Sequence, residues 1–263
     1  MKGTEIRNHF NLLKDSSVIY FDNSASSFKP DVVIEAENEY NNKYGVNHGR
    51  GVYKLAYTVT KMYEDARRDV ANFINANVFE VAFTGNTTEA LNIIALSYGL
   101  NNLKAGDEII ISKLEHHSSF LPWVEVAKRV GAKIVYVPLT KDNRITAENV
   151  EKVITKKTKV IALTHVSNVL GYKTPVKEIC EIAHNNSIVV VIDAAQSAPH
   201  MKLDVKELGC DFYVFSGHKT YGPTGIGAIY APFALWEEMP PYHGGGDMIR
   251  LVTFERTTYN EPP

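Results

Sequence analysis

Residues 211–227, Asp-Phe-Tyr-Val-Phe-Ser-Gly-His-Lys-Thr-Tyr-Gly-Pro-Thr-Gly-Ile-Gly, decide the fold. The run Phe212–Ser216 has the composition of a β-strand, and Gly217 then begins a turn that presents His218 and Lys219. A lysine on such a turn can lie in a partly desolvated pocket, where its amine loses proton affinity and becomes a nucleophile. The other interpretation is an exposed loop lysine, which is the usual environment of this residue.

A second stretch, residues 187–200, favours the chemical interpretation. It reads Ser-Ile-Val-Val-Val-Ile-Asp-Ala-Ala-Gln-Ser-Ala-Pro-His, and its unbroken apolar run predicts a parallel strand buried on both faces. Asp193 ends that strand, at the carboxyl edge where open α/β sheets bind ligands. A carboxylate there can cap a helix, or it can face a cation such as the protonated ring nitrogen of pyridoxal 5′-phosphate (PLP). Asp193 and Lys219 together favour the cofactor.

The two stretches that carry Asp193 and Lys219 resemble the class V aminotransferase superfamily of fold-type I PLP enzymes. Within it they are similar to SufS-like group II cysteine desulfurases and selenocysteine lyases, and the resemblance runs from about Tyr20 to the last residue. It implies an α/β fold, the large domain of PLP-dependent transferases, with a mainly parallel seven-stranded sheet and helices on both faces. Alternating strand and helix patterns independently predict a mainly parallel sheet with right-handed crossovers.

Composition bounds the possible partners. A chain of 263 residues with 44% hydrophobic content can bury a large core. The net charge of -2 and the lack of a basic run favour neither nucleic acid nor a membrane surface. We see no signal-peptide-like or membrane-spanning segment and expect a cytoplasmic protein. Cys180 and Cys210 are too few for a disulfide framework.

Residues 81–92 predict a strand, a tight turn and the start of a helix. Asn86 and Glu89 have capping-box spacing, and the free backbone amides of such a helix start suit a phosphate dianion. A simple capped helix fits the same residues equally well. The family resemblance implies four phosphate contacts: Thr87, Thr88, Ser216 and His218.

Residues 113–123, Lys-Leu-Glu-His-His-Ser-Ser-Phe-Leu-Pro-Trp, follow another predicted strand. The side chains of His116 and His117 diverge and have no evident third ligand, so we predict no metal site. The stretch resembles the Glu-His-His-Ser-Asn-x-x-Pro-Trp signature of SufS-like enzymes. That resemblance implies that His116 stacks on the pyridine ring and assists proton transfer, for which an imidazole has a suitable pKa.

Two more candidates follow predicted strand ends. The resemblance implies that Asn168 faces the phenolic oxygen of PLP and the substrate carboxylate, whereas a turn-forming asparagine is the alternative. It also implies that Gln196 hydrogen-bonds the phenolic oxygen.

The N-terminal part contains the remaining substrate-side candidates. Residues 18–26 predict a short strand with a polar turn, and the resemblance places Ser26 near the substrate carboxylate. Residues 47–51, Asn-His-Gly-Arg-Gly, depart from the family pattern Asn-Val-His-Arg-Gly, because His48 lies one place early. A solvated loop histidine is therefore an equal interpretation of His48.

The family pattern continues beyond the end of this sequence. The resemblance implies a Glu-Ala-Gly-Thr-Pro segment, a carboxylate-binding arginine and a sulfur-accepting cysteine, all C-terminal to the residues present. We expect residues 1–263 to be a PLP-binding large domain, with an N-terminal arm to about residue 30 and without the C-terminal small domain.

The resemblance implies a PLP-dependent conversion of L-cysteine to L-alanine, with sulfur passed on as a persulfide to an acceptor protein for iron-sulfur cluster assembly or another sulfur-transfer pathway. Lys219 would hold PLP and move the α-proton, while Asp193 keeps the ring protonated. We expect a homodimer that is a poor desulfurase alone. The open alternatives are another class V activity (selenocysteine lyase, amino-acid lyase or epimerase) and a non-catalytic binding or assembly protein.

Overall fold

A computed structural model describes residues 3–14, 17–49, 51–246 and 248–262. The α-helices are α1 (Gly3–Arg7), α2 (Asn11–Lys14), α3 (Asp31–Glu39), α4 (Lys54–Ile74), α5 (Thr87–Ile93), α6 (Leu100–Asn102), α7 (His117–Val130), α8 (Ala147–Glu151), α9 (Val176–Asn185), α10 (Val205–Leu208) and α11 (Phe233–Glu237). The strands are β1 (Val81–Thr84), β2 (Glu108–Ile111), β3 (Lys133–Tyr136), β4 (Thr158–Thr164), β5 (Val189–Asp193), β6 (Phe212–Ser216), β7 (Gly227–Tyr230), β8 (Ile249–Val252) and β9 (Thr257–Tyr259).

The main sheet has the strand order β1-β7-β6-β5-β4-β2-β3. Strands β3, β2, β4, β5 and β6 run parallel, whereas β7 is antiparallel to β1 and to β6. The predicted mainly parallel, seven-stranded sheet is therefore confirmed. Strands β8 and β9 form a separate antiparallel pair.

Both faces of the sheet are covered because its central strands are apolar on both sides. Ile192 and Tyr213 belong to a core that includes residues of α4 and α9, while Val191 and Phe212 belong to a core with α5 and α7. All four side chains are essentially excluded from solvent. Burial of each such side chain contributes about 1.5–3 kcal/mol to the stability of the fold. Strands β5 and β6 therefore hold the residues at their ends in fixed positions. Among the described residues, none of the helices has the length and apolar composition of a membrane-spanning segment.

The prediction of a strand near residue 18 is wrong. Residues 17–22 have no β-ladder in the structure, and side-chain contacts hold this segment instead. The ring of Tyr20 stacks on Phe28 at 4.2 Å, and its hydroxyl donates to the Ser26 carbonyl at 2.8 Å. Of the predicted loop 47–51, Arg50 lies outside the described residues.

Two helical segments continue through π-helical turns. The segment that follows Pro30 is α-helical over α3 and continues as a π-helical turn, Tyr40–Tyr44. The helix that begins at Thr87 likewise passes through a π-helical segment, Ile94–Gly99, before α6.

Strand β7 joins β1 to the rest of the sheet through a close backbone contact at Gly227. This residue pairs with Thr84 of β1 and with Ser216 of β6. A Cβ atom at Gly227 would lie 2.8 Å from the Asn86 Cα and 2.8 Å from the Phe215 carbonyl oxygen. Because both neighbours are backbone atoms, only glycine fits between these turns without displacing them.

We expect Gly227→Ala to lower the free energy of unfolding by about 1–3 kcal/mol, the usual cost of overpacking. Urea unfolding would measure the change. Gly244→Ala is a matched control, since its added Cβ has nothing within 4 Å, and we expect a change within about 0.5 kcal/mol. Equal stability of both variants would show that the Gly227 contact is not restrictive.

Candidate active site

A cavity of about 970 Å³ lies at the carboxyl edge of the sheet. The turns after β1, β4, β5 and β6 contribute to its lining, because parallel strands bring their carboxyl ends to one edge. The structure brings together these sequence-predicted residues around the cavity: Thr87, Thr88, His116, Asn168, Asp193, Gln196, Ser216, His218 and Lys219. Ser26 and His48 are not among the lining residues.

Lys219 and Asp193 form the electrostatic centre of this cavity. Asp193 is 5% exposed, and burial raises the pKa of its carboxyl, while the Ala195 N–H, Lys219 and His116 lower it. Its Oδ1 accepts a hydrogen bond from the Ala195 N–H at 2.9 Å. Burial lowers the pKa of the half-buried Lys219 ammonium, and the Asp193 carboxylate partly raises it again. At Asp193 the Ala195 N–H, Lys219 and His116 thus oppose the larger effect of burial on the carboxyl pKa, and at Lys219 burial eases loss of the proton.

Hydroxyl groups and backbone amides gather where α5 begins. The Thr87 N–H donates to the Ser216 Oγ at 2.8 Å, and the two hydroxyl oxygens of these residues are 2.6 Å apart. Asn86 caps the helix by accepting from the Glu89 N–H at 2.9 Å. The Glu89 carboxylate accepts from the Gly85 N–H, so the reciprocal contact of the predicted capping box lies one residue earlier than its spacing indicated.

A chain of short contacts links this helix start to His116. The Thr88 and Ser118 hydroxyl oxygens are 2.8 Å apart, and the Ser118 hydroxyl lies 3.0 Å from the His116 Nδ1. The His116 Nδ1 also accepts from the Ser118 N–H at 3.2 Å, which makes His116 the N-cap of α7. Because Nδ1 accepts this bond, the neutral ring carries its proton on Nε2. The sequence interpretation missed Ser118, although the N-cap spacing two residues after His116 could have indicated it.

Gln196 and Asn168 lie on other sides of the cavity. The Gln196 Nε2 donates to the Ser24 carbonyl at 2.7 Å, so this side chain binds the N-terminal segment to the cavity wall. Asn168 is exposed and lies in the turn after β4, where its side chain is available to a ligand.

Ser27 holds the turn that carries Lys219. Its Oγ donates to the His218 carbonyl at 3.0 Å and accepts from the Tyr221 N–H at 2.8 Å, while its N–H donates to the same carbonyl at 2.9 Å. Tyr221 has φ of 63°, an unusual conformation for a bulky residue. The sequence pointed to Ser26, which contacts His218 through its hydroxyl but does not line the cavity. Ser27 has the greater structural role because it fixes both sides of the turn.

His48 lies apart from the cavity. Its ring stacks on Tyr63 with a centroid distance of 4.3 Å. The structure therefore gives His48 a packing partner and does not bring it together with the other candidates.

The groups around the cavity fit PLP by their chemistry. Lys219 offers an amine for the aldehyde, Asp193 a buried carboxylate for the pyridinium nitrogen, and His116 an imidazole for the ring face. The helix start at Thr87 offers hydroxyl groups for the phosphate. Among the described residues, no group of three or more His, Cys, Asp or Glu side chains could hold a metal ion.

The sheet, the cavity and the lysine-carboxylate centre define a protein with the PLP-dependent transferase fold. The family model for aminotransferase class-V matches residues 19–263. The chain belongs to the aminotransferase class-V family.

Individual relatives share this similarity. A probable cysteine desulfurase from Halalkalibacterium halodurans is 49% identical over 268 residues, which cover 100% of this chain and 66% of that protein. A cysteine desulfurase from Thermococcus onnurineus, solved in its apo form, is 41% identical with a TM-score of 0.94, over 100% of this chain and 65% of that one. SspA, solved in complex with cysteine, is 29% identical with a TM-score of 0.80, and the match covers 87% of this chain and 65% of SspA. The chain spans 61–66% of the length of the curated relatives it matches.

We expect the Lys219 amine to react faster with an acylating reagent near pH 8 than an exposed lysine does, since its lowered pKa leaves more of it unprotonated. Lys128, which is exposed and pairs with Glu125, is the reference. Asp193→Asn should accelerate labelling further, because it removes the charge that raises the Lys219 pKa. Peptide mass spectrometry measures both rates, and equal labelling of Lys128 and Lys219 would contradict the prediction.

Proposed function

We propose that this chain is the PLP-binding large domain of a cysteine desulfurase. The observation that carries the proposal is the Lys219 amine beside the buried Asp193 carboxylate, in one cavity of a PLP-dependent transferase fold. Relatives named cysteine desulfurase, at 45–49% identity, support the activity. In this proposal residues 1–263 form one domain, with an N-terminal arm to about residue 30.

Bound PLP supplies an electron sink for the negative charge that develops at the substrate Cα. The Asp193 carboxylate, whose charged form is favoured by the Ala195 N–H, Lys219 and His116, would pair with a protonated pyridine nitrogen. Lys219, with its lowered proton affinity, can accept a proton from the substrate Cα and return it. His116 lines the cavity, and its neutral ring carries the proton on Nε2 because Nδ1 accepts from the Ser118 N–H.

The substrate that we propose is L-cysteine. Support comes from the names of the relatives and from the structural similarity to SspA, which was solved in complex with cysteine. On this chain, Asn168 is an exposed amide in the cavity wall that can donate to an amino-acid carboxylate. Ser26 and His48 lie outside the lining, so Asn168 is the better supported of the three substrate-side candidates.

Neither cysteine of the chain is suited to accept the sulfur. Both are buried, and burial raises the pKa of the Cys180 thiol to about 12 and that of the Cys210 thiol well above its usual range. A protonated thiol is a poor nucleophile at neutral pH. The thiolate that attacks the substrate sulfur therefore has to come from outside the described residues.

A homodimer and a sulfur-acceptor protein complete the proposal. Exposed large apolar side chains, among them Val52, Tyr57 and Phe254, support an interface with a second chain. Iron-sulfur cluster assembly is a pathway that would use such sulfur, and the cytoplasm is the proposed compartment.

We expect the purified chain to become yellow with added PLP and to hold the cofactor covalently on Lys219 after borohydride treatment. Lys219→Ala should lose the covalent attachment completely, because it removes the amine. Absorbance spectra and peptide mass spectrometry measure the two properties. Lys128→Ala is the matched control at an exposed lysine. A well-folded wild-type chain that does not bind PLP would contradict the proposed function.

We further expect release of sulfide from L-cysteine by this chain to require an added low-molecular-weight thiol. The reason is that Cys180 and Cys210 are buried and protonated. Alanine and sulfide are measured with and without dithiothreitol. Cys180→Ala should leave the thiol-dependent rate unchanged within about twofold, because a buried, protonated thiol has little nucleophilicity. Persulfide formation on Cys180 or Cys210 without added thiol would refute this expectation.

A further inference from the structure

Glu115 has a buried carboxyl group on which the charge of Asp193 acts, and the proposed function assigns it no role. It lies in the loop between β2 and α7, next to His116. Its Oε1 accepts from the Ser112 hydroxyl at 2.6 Å. Its Oε2 is excluded from solvent and has no hydrogen-bond partner. A carboxylate oxygen that is enclosed in this way and makes no well-formed hydrogen bond is unfavourable in its charged form.

A second buried polar atom lies beside this carboxyl. The Ser119 hydroxyl, in a residue that is 1% exposed, is buried without a well-formed hydrogen bond, but it lies near enough to Glu115 to lower the pKa of that carboxyl by side-chain hydrogen bonding. The Ser119 hydroxyl can donate to an ionised Oε2 or accept from a protonated one, so it can pair with Glu115 in either form. The choice between the two forms depends on the burial and the charges around the carboxyl.

The charged groups around Glu115 also favour its neutral form. From β5 it faces Asp193, whose negative charge opposes a second one; from β4 it faces uncharged Thr164. In its own loop, Lys113 and His116 are exposed. Burial first, and then Asp193, raise the pKa of Glu115 to about 8, against the lowering effects of Ser112, Thr164 and Ser119. Because two buried negative charges repel each other, the state with one ionised carboxyl is more stable here than the state with two.

We propose that Glu115 is a positioning residue that remains a neutral carboxylic acid, donates its proton to Ser119, and leaves Asp193 as the single negative charge of the pair. Its bonds to Ser112 and Ser119 connect the end of β2 to the first turn of α7. The start of α7, where His116 is the N-cap, is thereby fixed. The proposal rests on the proposed function in one respect, because the charge kept on Asp193 is the one that a PLP ring nitrogen requires.

The first test measures the protonated carboxyl in the cofactor-free chain by infrared spectroscopy near pH 6.5. The wild type should show a carboxylic-acid carbonyl band that Glu115→Gln lacks and that Glu125→Gln, at an exposed glutamate, retains. Ser119→Ala should shift this band to higher frequency, because the acid loses its acceptor. A wild-type spectrum identical to that of Glu115→Gln would overturn the proposal.

The second test is the pH dependence of the melting temperature. The folded-state pKa of Glu115, about 8, lies above its ordinary value of 4.5, so the stability from its neutral form is complete below about pH 4.5 and is lost as the pH rises through about 8. The wild type should therefore lose more stability than Glu115→Gln between these limits. If the melting temperatures of the wild type and Glu115→Gln changed with pH in parallel, Glu115 would not be neutral in the folded protein.

A third measurement separates this proposal from the proposed function. Glu115→Gln, which keeps a neutral hydrogen-bonding group, should bind PLP within about threefold of the wild type, whereas Glu115→Ala should weaken binding roughly tenfold by leaving Ser112 and Ser119 unpaired. Equal PLP affinities of the wild type, Glu115→Gln and Glu115→Ala would contradict a positioning role for Glu115. A wild type that shows the infrared band but binds no PLP would refute the proposed function and leave the protonation of Glu115 standing.

Discussion

The burial of the Asp193 carboxylate is the constraint on which the site depends. A carboxylate that is 5% exposed needs compensation, and it receives one backbone N–H from Ala195 and the charge of Lys219. Both arise from adjacent parallel strands, since β5 ends at Asp193 and β6 leads directly to Lys219. The same low-dielectric surroundings that raise the proton affinity of the acid lower that of the amine. Burial therefore prepares the amine as a nucleophile, whereas the charged form of the acid depends on the Ala195 N–H and on the positive charges of Lys219 and His116.

The sequence predicted the parts of this site that are local. An apolar run that ends in Asp193, and a strand that stops at Gly217 before Lys219, were sufficient to place both residues at one sheet edge, because the carboxyl ends of parallel strands coincide there. Ser27 and Glu115 could not be found in this way. Ser27 acts on a turn 191 residues away, and Glu115 gains its importance from Asp193 on another strand. No pattern of neighbouring residues contains such contacts.

Two helix starts are joined by side chains rather than by the sheet. Thr88 in α5 contacts Ser118 in α7, and Ser118 contacts the ring of His116. The region proposed for the phosphate and the residue proposed for the ring face thus share one hydrogen-bonded chain. Below it, Glu115 ties the same turn to β2 through Ser112. The position of His116 is consequently determined from two directions, which limits the conformations open to an otherwise exposed side chain.

Strand β7 has a consequence for the order of folding during translation. It enters the sheet between β1, which leads to Thr87, and β6, which leads to Lys219, and it is the neighbour through which β1 joins the sheet. A nascent chain that has emerged only as far as β6 has no strand to connect these two turns. The cavity can therefore be completed only after residues 227–230 have emerged, and until then β1 presents an unpaired edge that invites association with other chains.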